Sequence, residues 1–125
     1  MDGLTWWEHE GMKILRADYS LVKDPLQLLH AIMQEQYTAE GTCCYSLIDF
    51  GYRTFPENFI REYEELAADL VLHKKLVAAY LGLLPEYYPV AARIVARIDN
   101  KATTAFFESE PAAIKWLLSF RDCVD

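Results

Sequence analysis

Positive charge is in short supply: twelve Lys and Arg stand against nineteen Asp and Glu in 125 residues, a formal net charge of −7. That balance repels a phosphate backbone, and the basic residues are scattered instead of forming a stripe, so nucleic acid is excluded as an expected partner. Long apolar runs are also missing. No stretch approaches the ~18 residues of a membrane span. The opening MDGLTWWEHE has neither a positive n-region nor an apolar h-region, so a cytoplasmic protein that does not span a membrane is expected. Cysteine is limited to Cys43, Cys44 and Cys123. The adjacent pair falls in an apparent strand, where neighbouring side chains point to opposite faces and cannot readily chelate one metal, so reduced core thiols are expected.

Several catalytic signatures are absent too. LGLLPE lacks the glycines and lysine of a phosphate-cradling loop, and no nucleophile elbow occurs. His9 lies between Glu8 and Glu10, yet strand alternation would part it from both; His30 and His73 have no second His or Cys at ligand spacing. Neither a metal nor a cofactor is expected. No internal repeat, linker or low-complexity segment interrupts the chain, and its length suits one domain over residues 1–125.

What is present is apolar and aromatic: 53% and 14% of residues, enough for a single core without staples. LTWWEHEG and MKILRADYS read as a hairpin turning at Gly11. Asp24 caps a helix beginning at Pro25 and running to about Tyr37, with Leu29, Ile32, Met33 and Gln36 on one stripe. TCCYSLID has the mostly apolar texture of a central strand covered on both faces. From Pro56 to about His73, Phe59, Ile60, Tyr63, Leu66, Ala67, Leu70 and Val71 recur at three and four, while Glu62, Glu64, Glu65 and Asp69 give the helix an acidic outer face. KLVAAYLGL is the fourth strand, the segment from about Val90 to Ile98 a helix with Ile94, Val95 and Ile98 inward, and ATTAFFES the fifth strand. Ser109 caps a closing helix with Ala113, Trp116, Leu117 and Phe120 inward. The order ββαβαβαβα defines an α/β class with a mixed, largely parallel five-stranded sheet, four helices and right-handed crossovers.

That order, with the ending FESEPAAIKWLLSF, resembles the STAS family, the anti-sigma-factor-antagonist type of domain with a SpoIIAA-like fold. Phe107, Ala113, Trp116 and Leu117 are similar to the family's last strand and helix, and the element order extends the likeness from about Leu4 to Phe120. The resemblance implies a bacterial regulatory domain without catalysis. It also implies a phosphorylatable Ser after a strand-ending Asp. Asp49 stands at the aspartate position and Thr54-Phe55 resembles the turn, but Glu57 and Asn58 fall where an Asp-Ser pair belongs, so the usual switch is expected to be absent. Thr54 is a candidate substitute phosphosite, beside a helix N-terminus that would favour phosphate; the simpler expectation, and the one favoured, is that it caps or orders the turn.

The stretch SLIDFGYRTFPENF then marks a working edge. If the third and fourth strands are parallel neighbours, their carboxyl ends bring Tyr52, Arg53 and Thr54 together with Glu86, Tyr87 and Tyr88. A protein partner is expected to dock there on Asp49, Tyr52, Arg53, Thr54, Glu57 and Asn58, steered by the acidic helix. Charge reversal at Arg53 should then weaken docking without altering folding. The alternative is a small apolar or lipid-like ligand between helix and sheet, in a cavity lined by Tyr80, Tyr87, Tyr88 and the long helix. An enzyme using Asp49 with Tyr52, Arg53 or His73 is a third reading, and a homodimer through a sheet edge is open as well.

Overall fold

The computed structural model describes residues 2–98 and 102–120, so Cys123 lies outside the described residues. Five strands and four helices follow the expected order: β1 (Leu4–His9), β2 (Met12–Asp18), α1 (Pro25–Thr38), β3 (Cys43–Asp49), α2 (Glu57–Leu70), β4 (Lys75–Leu81), α3 (Tyr88–Ile98), β5 (Ala102–Phe107) and α4 (Glu110–Leu118). Short 3-10 turns, Tyr19–Leu21 and Pro85–Tyr87, precede α1 and α3. Local chemistry sets these boundaries. Glu10 and Gly11 both take positive φ, +51° and +83°, which gives the tight hairpin its right-handed twist. Asp24 Oδ1 accepts from the N–H groups of Leu26 and Gln27, and Ser109 Oγ from Ala112, satisfying donors that open α1 and α4. The hairpin turn also ends the alternation at His9, whose Nε2 lies 3.7 Å from Glu10 Oε2 on the exposed surface.

The strands pair in chain order, β1-β2-β3-β4-β5, with β1 antiparallel to β2 and all other pairs parallel. Helices α1, α2 and α3 share one face. There Leu28, Leu29, Ile32, Phe59, Tyr63, Leu70, Ile94 and Ile98 close over Leu15, Cys44, Ile48, Ala78 and Tyr80. The other face carries Met12, Ile14, Leu47, Val77, Ala79 and Leu81 beneath Ala113 and Leu117 of α4. Because side chains alternate along a strand, Cys44 faces the three-helix layer and Cys43 the α4 layer. Each fully buried Leu or Ile in these layers is worth about 1.5–3 kcal/mol of transfer free energy.

Several polar residues are drawn inward. Gln36, buried in α1, donates to buried Ser46 of β3 at 3.3 Å. The outer face of α2 is not simply solvated, since Glu64 meets Arg93 at 2.9 Å and Arg97 at 3.5 Å on α3. Arg16 reaches from β2 to Glu110, at 3.0 Å through Nε, and lies 4.8 Å from the Trp7 ring centroid. That contact ties the last helix to the second strand. Phe107 and Trp116, ring centroids 5.5 Å apart, pack with buried Ala113 and Leu117 in the same layer.

Candidate functional site at the carboxyl rim of the sheet

Parallel strands β2 to β5 release their chains at one end of the sheet, and the loops after β3 and β4 are joined there by backbone hydrogen bonds. Phe50 N–H donates to the Leu81 carbonyl at 2.9 Å and Tyr52 N–H to the Gly82 carbonyl at 2.7 Å. Gly82 makes this closeness possible: at φ +68°, a Cβ would stand 2.5 Å from Asp49 Oδ1 and 2.8 Å from Gly51 N. Only glycine fits there without displacing the other loop.

Within the turn, most polar groups are committed internally. Asp49 Oδ1 accepts from Gly51 N–H at 2.8 Å, so its carboxylate forms the turn. Arg53 is a strut: Nη1 donates to the Tyr19 and Val22 carbonyls, both at 2.7 Å, and the guanidinium sits 5.6 Å from the Phe55 ring centroid. A reversal of its charge would therefore strike the fold as well as any docking. Thr54, Glu57 and Asn58 are exposed around the start of α2, and no side chain caps that helix. Glu57 occupies the first turn, where a negative charge complements the helix dipole. Tyr52 differs from its neighbours. Its φ of +51° is rare for a residue with a Cβ, and its side chain stands out into solvent, 63% exposed.

A crevice opens between the ends of β4 and β5. After β4 the chain turns to α3 on one face; after β5 it turns to α4 on the other. Where neighbouring parallel strands send their connections to opposite faces, the loops part and leave a cleft at the carboxyl ends. Here the cleft has a volume of about 330 Å³, walled by Tyr52, Leu81, Gly82, Tyr88, Phe106 and Glu108 among others. Tyr52 and Tyr88 were expected at the rim. Phe106, Phe107 and Glu108 were not, because the face taken by α4 decides where the cleft lies, and nothing in PAAIKWLLSF states that face. The one available signal was FF at the end of the fifth strand, where alternation must put one ring on each side.

Behind the rim, an apolar cavity of about 60 Å³ lies between α2, α3 and the sheet, lined by Phe55, Phe59, Tyr63, Tyr80, Tyr87 and Ile94 among others. Tyr80 and Tyr87 line this cavity, whereas Tyr88 lines the outer cleft, which Tyr80 also reaches. The Tyr87 hydroxyl accepts from Phe55 N–H at 2.7 Å and latches the segment before α3 to the β3 turn. Deeper still, Tyr63 and Tyr80 hydroxyls meet at 3.2 Å, and the buried Tyr19 hydroxyl has no hydrogen-bond partner among the described residues. Burial is the main cause holding all three phenols above their ordinary pKa, with Tyr80 adding repulsion at Tyr19 and Tyr63.

Among the described residues no group of three or more His, Cys, Asp or Glu could hold a metal ion, and no helix is long and apolar enough to cross a membrane. No family model, no curated protein and no solved structure matches this chain. Fold and site geometry define an α/β domain with a five-stranded mixed sheet and a cleft at its carboxyl rim.

Proposed function

We propose that this is a non-catalytic, STAS-like regulatory domain that recognises a protein partner at the carboxyl rim of its sheet. One observation carries the reading: α3 and α4 leave neighbouring strands for opposite faces, and the cleft between them is walled by exposed Tyr52, Tyr88 and Phe106. Aromatic side chains bring large contact area at low entropic cost, which suits a recognition surface. The contact set shifts accordingly. Tyr52 and Tyr88 are its anchors, Thr54, Glu57 and Asn58 its flank, and Arg53 supports the turn from within. Asp49, spent on Gly51 N–H, is a structural acid in this reading. Chain-order pairing of the strands and the packing of Phe107, Ala113, Trp116 and Leu117 favour the STAS-like assignment.

The apolar cavity supports a second reading, a small hydrocarbon-like ligand between helix layer and sheet, since Tyr80, Tyr87 and α2 line it. At about 60 Å³ the enclosed space is small, but Ala91, Val95 and Phe106 also line an open groove of about 770 Å³ between α3 and β5, which gives a larger ligand room beside it. The deciding experiment is a paired capture from the source organism's lysate with wild-type bait and a Tyr52→Ser/Tyr88→Ala bait, each followed by native mass measurement. A protein held by the wild type and lost from the variant supports docking at the rim. Equal capture by both removes that reading, and a co-purified apolar mass establishes the cavity ligand.

A further inference from the structure

The wall of the cleft is aromatic on its exposed side and carries a carboxylate. Tyr52, Tyr88 and Phe106 are 63%, 55% and 46% exposed, although rings of this size ordinarily gain from burial. Phe106 packs against Tyr80, tilted by 36° at 5.2 Å between centroids, while Tyr52 and Tyr88 pair with no other ring among the described residues. Both line the cleft with more than half of their surface exposed. Glu108 completes the wall, in a chain whose net charge is −7.

An aromatic face is the negative end of a quadrupole, so several around one cleft favour a cation over a neutral group of the same shape. A compact primary ammonium holds its water tightly, whereas a methylated ammonium spreads its charge over an apolar surface that rings can cover. A plain hydrocarbon would have no use for Glu108. We propose that the cleft between β4 and β5 binds a small organic cation with a methylated ammonium group, faced by Tyr52, Tyr88 and Phe106 and counter-charged by Glu108. This rests on the rim being the working edge and adds the chemistry of what enters it.

The test is an NMR titration of the full isotope-labelled chain with choline and, separately, with its uncharged isostere, in which a tert-butyl group replaces the trimethylammonium. Choline should shift the amide signals of Tyr52, Gly82 and Glu108 and bind about tenfold more tightly than the isostere. Tyr88→Leu and Glu108→Gln, both at exposed positions, should weaken choline several-fold more than they weaken the isostere and keep the far-UV circular dichroism of the wild type. Equal binding of the two compounds overturns the inference, as does choline perturbing only signals away from the cleft, or none. Failure of choline with partner capture still lost in the Tyr52→Ser/Tyr88→Ala bait would remove the cation and leave the docking reading. Selective choline binding with unchanged capture would do the reverse.

Discussion

The buried phenols predict that stability falls as the pH rises above the ordinary tyrosine range. Tyr19, Tyr63 and Tyr80 are 0%, 9% and 6% exposed, and each holds its proton more tightly in the fold than in the unfolded chain, chiefly because burial penalises the phenolate. Below about pH 10 all three are neutral in both states, so their contribution is fully present there. Above it the unfolded chain releases three protons that the folded chain retains, and stability must fall as pH rises. One retained proton corresponds to about 1.4 kcal/mol per pH unit, and three to about 4 kcal/mol per unit. Urea titrations followed by far-UV circular dichroism at half-unit steps from about pH 8 to about pH 12 would measure the slope. Tyr63→Phe/Tyr80→Phe should reduce the tyrosine part to about a third, because one phenol remains. Lysines titrate in both proteins alike and cancel in the comparison. Identical slopes for wild type and variant would refute the reasoning.

Other substitutions probe the rim and the two layers. Arg53→Met should cost about 2–3 kcal/mol in a urea titration, since two carbonyls lose a charged donor held at 2.7 Å; a loss below about 0.5 kcal/mol would mean that water replaces the strut. Gly82→Ala should cost about 2 kcal/mol or more, combining a positive φ with the approach to Asp49 and Gly51, and should move the Tyr52 amide signal. An unchanged melting temperature would contradict the packing of the two loops. Leu117→Ala should cost about 2–5 kcal/mol by thermal or urea unfolding, as it empties the centre of the α4 layer.

Much of the architecture was legible from period and punctuation. Asp24-Pro25 and Ser109 mark helix starts because their side chains or ring fit only that backbone position, and the apolar run of β3 shows a strand covered on both faces. Alternation correctly divided Cys43 from Cys44. Sequence also brought the loops after β3 and β4 to one rim, because parallel strands must end together. It could not locate the cleft. That depends on α4 choosing the face opposite α3, a tertiary outcome that its short apolar stripe fits equally well on either side. The inward bonds of Arg53 were illegible for a related reason. An arginine beside exposed Tyr52 has the composition of a docking surface, and only the path of the Tyr19–Leu21 turn supplies the carbonyls that bind it inward. The acidic face of α2 was likewise read without its neighbour, since Glu64 finds Arg93 and Arg97 only when α3 packs alongside.

That α4, which packs over β3, β4 and β5 on its side of the sheet, is made after all five strands has a consequence for synthesis. Until Glu110–Leu118 has been made, Ile14, Leu47, Val77 and Ala79 lack Ala113 and Leu117 above them. The three-helix side can assemble progressively as each crossover closes on its neighbour. The nascent sheet therefore spends its time on the ribosome with a greasy back, and a chain interrupted before that helix would present a ready surface for chaperones or for aggregation.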